Sequence, residues 1–232
     1  MKIKSLVLGL AAMLAAAIAP ANTVVSTDGN FDGWIVLYAG QAFGVSWTQS
    51  VAYENVSISA NLTAFGRSSE TGRAFLTTSL GPGTTVANQV ANASFTFPSV
   101  ENDVVLFSGL NLSAGQYFLS LVGNSPNWGS GWITSFPPTV ETDAAATLGS
   151  SYGFSSPGLS FLPASGVYDG GSVPNFSVTG TPVPDSATTA VLAACSLLLL
   201  GLWKAGFGHG RRPSASDRQD DPICGAAPPR PR

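Results

Sequence analysis

The sequence predicts an all-β fold, an antiparallel β-sandwich that is jelly-roll-like, followed by a single C-terminal transmembrane helix. Residues 55–63 alternate between apolar and polar side chains without a break, which is the pattern of a half-buried antiparallel strand. Between residues 22 and 183, short apolar segments are separated by turn signals rich in Gly, Pro and Asn. No stretch of that region shows helical periodicity, so we expect a domain built of strands.

The candidate strands are short segments whose composition favours extended structure. Residues 26–33 are predicted as a loop because Asp, Asn and Gly dominate them, and residues 149–171 as a long loop rich in Ser, Gly and Pro. The predicted strands cover residues 34–38, 43–48, 55–63, 74–80, 93–97, 104–107, 116–122, 132–136 and 175–179.

The N-terminal segment, residues 1–21, predicts a secretory signal peptide. Two lysines open it, and a short apolar region follows at 6–18. Ala19 and Ala21 provide the small residues of a signal-peptidase site before Asn22. The alternative is an uncleaved anchor helix, but the apolar region is shorter than a membrane span.

An apolar segment near the C-terminus, residues 187–203, predicts the transmembrane helix. It contains no charged residue, and as a helix its length is close to the ~30 Å hydrocarbon core of a bilayer. In lipid, a helix satisfies all backbone groups of a single segment. Lys204, Arg211 and Arg212 follow it and predict a cytoplasmic end. The alternative, a buried core helix, normally shows polar positions on one face, and this segment shows none.

The residues just before this helix carry a family resemblance. Val183-Pro184-Asp185-Ser186, then a weakly apolar helix and an Arg-rich end, resembles the PEP-CTERM sorting tail in its VPDSG-type variant. The resemblance implies recognition of Val183, Pro184, Asp185 and Ser186 by a membrane-embedded exosortase. It further implies cleavage near the motif, after which the protein is released or displayed at the surface.

These predictions divide the chain into five segments. The C-terminal helix would anchor the protein in the membrane before processing, and the mature protein would reach the cell surface or the extracellular space. The segments are a signal peptide at 1–21, an exported β-sandwich domain at 22–180, a linker with the sorting motif at 181–186, the transmembrane helix at 187–203 and a basic, disordered cytoplasmic tail at 204–232.

The charge and cysteine content of the exported region exclude several functions. Between residues 22 and 183 the sequence has nine acidic side chains and two arginines, a formal net charge of −7. Nucleic-acid binding depends on Lys and Arg at phosphates, so we expect no nucleic-acid partner. Both cysteines, Cys195 and Cys224, lie beyond this region, which therefore lacks a disulfide or a thiolate metal site.

Catalysis is limited by the single histidine. His209 follows the apolar segment, so the exported region cannot contain a Ser-His-Asp triad, a Cys-His pair or a His-based zinc site. Two carboxylates could form a glycosidase pair. Most acids, however, stand beside Gly, Asn or Thr in turn-like contexts, where a solvated surface carboxylate is the ordinary case. We therefore predict that the protein is not an enzyme.

A calcium site is the one cofactor hypothesis that the sequence offers. Asp28, Asn30 and Asp32 alternate with small residues, so their oxygens could converge on Ca²⁺. The spacing matches the start of an EF-hand loop, but Ala39 occupies the twelfth position where Glu is needed. The sequence favours the alternative, an Asx-rich turn before a strand that begins at Trp34.

One tryptophan is a candidate for sugar binding. Trp128 lies in a Gly-rich segment, where an exposed indole could stack on a sugar ring. Trp34, Trp47 and Trp132 fall in predicted strands and are predicted to be core residues.

Together these features predict a non-catalytic structural or adhesive component of an extracellular polysaccharide matrix. The expected partners are the exosortase-type enzyme, the membrane and extracellular polysaccharide. The first alternative is a calcium-assisted carbohydrate-binding module that uses Trp128 and Asp28, Asn30 and Asp32. The second alternative is a glycoside-active enzyme with a carboxylate pair.

Overall fold

The computed structural model describes residues 21–65, 70–81, 84–126, 129–155 and 173–184. In these ranges the chain forms strands and one 3-10 turn at Val86–Asn88, and no helix there is long or apolar enough to cross a bilayer. The strands are β1 (Asn22–Val36), β2 (Gln41–Gln49), β3 (Tyr53–Thr63), β4 (Thr71–Thr77), β5 (Gln89–Thr96), β6 (Asn102–Leu112), β7 (Gly115–Gly123), β8 (Gly131–Thr142), β9 (Ala146–Ser155), β10 (Val173–Pro174) and β11 (Phe176–Pro182).

The strands form two sheets. Sheet A has six strands in the order β10-β8-β1-β11-β3-β6, and sheet B has five in the order β5-β4-β7-β2-β9. All pairings in both sheets are antiparallel. The predicted all-β fold of two antiparallel sheets is therefore confirmed. The jelly-roll topology stays a prediction, and the predicted transmembrane helix and tail lie outside the described residues.

An additional pairing closes part of sheet A on itself. The end of β3 pairs with the start of β8, with Leu62 opposite Trp132 and Thr63 opposite Gly131. Strands β8, β1, β11 and β3 each pair with the next, and β3 pairs back with β8. This closure brings the distant ends of β3 and β8 together.

The hydrophobic core contains the inward side chains of both sheets. Val56, Ile58, Ala60 and Leu62 of β3 are all fully buried, which confirms the face predicted from their alternation. Trp47 and Trp132 are also fully buried, as predicted. Gln49 is the main polar side chain among them: it accepts a hydrogen bond from Trp47 Nε1 at 3.1 Å and donates one to the Ser113 carbonyl at 3.0 Å.

The predicted loop at residues 26–33 is wrong, because these residues lie inside β1. This strand pairs with β11 on one side and with β8 on the other. Its pairing with β8 shifts register between Gly29 and Phe31 and again between Phe31 and Gly33. Gly29 and Gly33 have φ values of 141° and 156°, which side-chain-bearing residues rarely adopt. The turn-forming residues thus make bulges within a strand.

The predicted loop at 149–171 is wrong over its first part. Strand β9 extends to Ser155 and pairs with β2 along its length. Ser and Gly are weak strand formers, so this edge strand depends on its partner rather than on local preference. Residues 156–172 lie outside the described ranges.

The two ends of the domain meet at one side of sheet A. Asn22, at the start of β1, pairs with Gly180 of β11. Strand β11 continues through Pro182, into the predicted linker. The Val183 N–H then donates a hydrogen bond to the Ala52 carbonyl at 2.9 Å. The chain therefore enters and leaves the domain at the same end.

Candidate functional site

Three aromatic side chains form an exposed cluster, which we call the aromatic patch. Phe31 is 56% exposed, Trp34 49% and Phe65 36%. The centroids of the Trp34 and Phe65 rings are 4.8 Å apart, and those of Phe31 and Trp34 are 5.8 Å apart. Large exposed apolar groups that lie together, rather than singly, mark interaction surfaces.

The backbone around Phe65 places its ring against Trp34. Phe65 has a φ of 48°, in the left-handed region that a bulky residue seldom adopts. Its N–H donates to Thr63 Oγ1 at 3.3 Å. A Cβ at Gly131 would lie 2.8 Å from the Phe65 Cζ and 3.1 Å from the Trp34 Cβ. The glycine at the start of β8 therefore leaves the space that the Phe65 ring occupies.

The exposure of Trp34 contradicts its prediction as a core residue. The two bulges of β1 reset the alternation of the strand after Gly33. Ile35 then packs against the core, and Trp34 projects to the opposite face. Sequence reasoning missed the patch because composition cannot locate the register shifts.

The patch lies far from the tethered end of the domain. Asn22 and Trp34 stand near opposite ends of β1, which corresponds to about 40 Å along an extended strand. Asn22 is also the residue next to Gly180 of the last strand. The aromatic rings are therefore remote from the point where the C-terminal segment leaves the domain.

A second feature is an acidic cavity of about 300 Å³ on sheet A. Hydroxyl, amide and carboxylate side chains dominate its lining, and Phe176 is the aromatic residue among them. The lining residues are Thr23, Ser26, Thr27, Asp28, Asn61, Asp103, Glu141, Asn175, Phe176 and Ser177.

The predicted calcium residues do not form a loop. Asp28, Asn30 and Asp32 are exposed on β1, and the bulges interrupt the spacing between them. Asp28 lines the acidic cavity, and its Oδ1 accepts a hydrogen bond from the Gly29 N–H at 2.7 Å. Calcium binding by the three residues stays a prediction.

The other predicted site residues are partly outside the described ranges. Ala21 is exposed and immediately precedes β1, while Ala19 lies outside. Val183 and Pro184 are exposed at the end of the domain, and Asp185 and Ser186 lie outside. Trp128 also lies outside the described residues, so its role in sugar stacking stays a prediction.

Comparison with known structures gives a low-similarity match. A family two carbohydrate esterase from Cellvibrio japonicus matches with 14% sequence identity and a TM-score of 0.30. The match covers 62% of this chain and 32% of the esterase chain, so less than a third of that protein's length has a counterpart here. No curated protein matches the chain.

The C-terminal segment gives a specific family match. Residues 182–207 match the VPDSG-CTERM motif. They begin at the last residue of β11, include the four motif residues Val183 to Ser186 and continue through the apolar segment. The chain therefore carries a sorting signal of the PEP-CTERM type, which implies export, a membrane-anchored C-terminus before processing, and processing by an exosortase.

Proposed function

We propose that the exported domain is a non-catalytic structural or adhesive component of an extracellular polysaccharide matrix, and that it contacts polysaccharide through the aromatic patch. The observation that carries this proposal is the side-by-side exposure of Phe31, Trp34 and Phe65 on a domain with a sorting signal for export.

Aromatic rings suit sugars because the apolar C–H face of a pyranose packs on a ring face, while its hydroxyls stay in water. Phe31 and Phe65 both pack on Trp34, so the rings hold one another in place before a ligand arrives. Pre-ordered side chains lose little conformational entropy on binding. Three adjacent rings also offer more contact area to a polymer than a single ring would.

The placement of the patch supports the same proposal. While the C-terminal segment is anchored, the end of the domain with Asn22 and Gly180 is the tethered end. The patch lies about 40 Å along β1 from that end, so the point of attachment does not cover it. Cleavage near the motif by the exosortase would free the domain to join the matrix.

The test is adsorption of the processed protein, purified from its own host, to that host's insoluble extracellular polysaccharide. We expect Trp34→Ala to weaken adsorption by about fivefold or more, since the stacking of one base on an aromatic side chain is worth about 1–3 kcal/mol. Val105→Ala is the matched control, because Val105 is 62% exposed on β6, outside the patch. Equal adsorption by wild type and Trp34→Ala would refute the proposal.

A further inference from the structure

The acidic cavity has a lining that no single strand could provide. Five neighbouring segments of sheet A each contribute one carboxylate or carboxamide side chain to it. In sheet order these are Glu141 of β8, Asp28 of β1, Asn175 immediately before β11, Asn61 of β3 and Asp103 of β6. The cavity therefore crosses the sheet at right angles to the strands.

Strand register brings these side chains to one face of sheet A, at two adjacent levels two residues apart along the strands. Asn61 and Asp103 are direct cross-strand partners in the β3–β6 pairing. On the other side, Glu141 pairs with Ser26, which in turn pairs with Ser177. Partners in register present their side chains on the same face of a sheet, so the polar groups share one surface.

Asn175 is the best indication that the cavity receives a ligand. It is only 6% exposed, and its backbone is fixed by three hydrogen bonds: its carbonyl accepts from Trp132 Nε1 at 2.8 Å and from the Asn61 N–H at 3.0 Å, while its N–H donates to the Ile133 carbonyl at 2.8 Å. Its side-chain Oδ1 nevertheless has no hydrogen-bond partner among the residues that the structure describes.

The Oδ1 of Asn61 is buried as well and also lacks a partner in the described part of the chain. A buried acceptor without a donor is unfavourable, and native proteins seldom keep one without a reason. Two such acceptors lining one cavity call for a ligand that brings hydrogen-bond donors.

The charge of the lining further restricts the chemical class of the ligand. As carboxylates, Asp28, Asp103 and Glu141 can accept hydrogen bonds but cannot donate them. Their charge gives the cavity a negative potential. In the described ranges Arg73 is the one basic side chain, and it lies on β4 of sheet B, over the Phe75 ring at 5.0 Å. Within those ranges no basic side chain lies at the cavity to balance the three carboxylates.

A metal ion fits this lining less well than an organic cation. Nowhere in the described part of the chain do three or more His, Cys, Asp or Glu side chains converge closely enough to hold a metal. The acceptors are instead distributed over five segments around about 300 Å³, which is the lower size limit of small-molecule sites.

We propose that the acidic cavity binds a protonated amino sugar unit, a hexose with a free amine. Its hydroxyls would donate to Asn61, Asn175 and the carboxylates, and its ammonium group would neutralise part of the negative charge. The cavity shares no residue with the aromatic patch, so this inference does not depend on the proposed function.

The test titrates the processed protein, purified from its own host, with glucosamine, N-acetylglucosamine and CaCl₂ in separate experiments. Binding is monitored by NMR at about pH 6, where an amine is protonated. We expect saturable binding of glucosamine, and binding of N-acetylglucosamine weaker by about tenfold or more. We also expect Asp103→Asn to weaken glucosamine binding by about tenfold or more, because it removes a charge but keeps the shape of the side chain. The matched control is Asp32→Asn, which makes the same chemical change at an exposed residue outside the cavity lining. This variant should bind glucosamine as the wild type does.

Three results would overturn the proposal. They are no saturable binding of glucosamine, equal binding of glucosamine and N-acetylglucosamine, or saturable NMR shifts of the cavity-lining residues with Ca²⁺ and not with glucosamine. If Asp103→Asn fails to fold, Glu141→Gln repeats the test from another strand. Adsorption through Trp34 is measured on a different surface, so either proposal can fail while the other stands.

Discussion

The ring of Trp34, on β1, lies 4.8 Å from the ring of Phe65, just after β3, with the ring planes inclined at 55°. Neither strand pairs with the other; both pair with β8, which begins at Gly131. The contact between the Trp34 and Phe65 rings therefore depends on β8, because Gly131 has no side chain and leaves room for the Phe65 ring.

Gly131→Ala tests this arrangement directly. The added methyl would meet the Phe65 ring at 2.8 Å, so we expect Phe65 to move away from Trp34. Near-UV circular dichroism should lose part of the tryptophan signal, the free energy of unfolding should fall by about 1–3 kcal/mol, and polysaccharide adsorption should decrease. Thr139→Ala, at an exposed position of the same strand, is the control. An unchanged spectrum with unchanged adsorption would contradict the role of Gly131.

Gln49→Leu tests the buried polar network of sheet B. Gln49 is 1% exposed, accepts from Trp47 Nε1 and donates to the carbonyls of Leu112 and Ser113. Leucine fills a similar volume but leaves these buried groups without partners, so we expect a loss of about 2–4 kcal/mol in the free energy of unfolding. Urea unfolding should show a lower midpoint with an unchanged slope. Thr48→Ala, at the exposed neighbouring position, should stay within about 0.5 kcal/mol of wild type.

Tyr53→Phe tests the response of stability to alkaline pH. Burial raises the pKa of Tyr53 above its ordinary value of 10.0, and the negative charge of Asp143 raises it further. The folded state thus holds this proton more tightly than the unfolded chain does. Its contribution to stability is complete below about pH 10 and is lost as pH rises through the folded-state pKa.

We therefore expect wild-type stability to decline above about pH 10 and the decline to be shallower in Tyr53→Phe. Some decline should remain, because burial also raises the pKa of Tyr117. Near neutral pH the two proteins should be similarly stable, because phenylalanine keeps the buried ring of Tyr53 and removes only the hydroxyl. Urea unfolding at a series of pH values measures both effects, and parallel pH profiles would contradict the assignment.

Asp185→Ala tests the sorting signal. We expect wild-type protein from its own host to begin at Asn22 and to end near Asp185, whereas the variant should retain its C-terminus at Arg232 and stay in the membrane fraction. Intact mass and cell fractionation measure both outcomes. Asp217→Ala removes an acid beyond the matched residues 182–207 and should be processed as wild type. A wild-type chain that ends at Arg232 would show that the signal is not cleaved.

Some of the structure follows from local sequence because the responsible forces are local. The alternation of residues 55–63 predicts both that β3 is a strand and which of its faces is buried, since successive side chains of a strand point to opposite sides. The sorting signal is likewise a contiguous motif, so its residues were identified from the sequence and then matched at 182–207.

Both candidate sites escaped the sequence because they depend on pairing between distant segments. Asp-Gly and Asn-containing segments favour turns locally, but β1 is held extended between β8 and β11, and its glycines become bulges that turn Trp34 outward. The acidic cavity joins residues whose proximity follows from the strand order of sheet A, which no local pattern encodes.

The sequence by itself determined the strand-rich character of the domain, most strand positions and the C-terminal sorting signal, because periodicity and short motifs are properties of neighbouring residues. Only the tertiary structure decided which aromatic rings reach solvent and which polar side chains meet. These choices depend on bulges, register and the pairing of β3 with β8, where contacts between remote strands outweigh local preference.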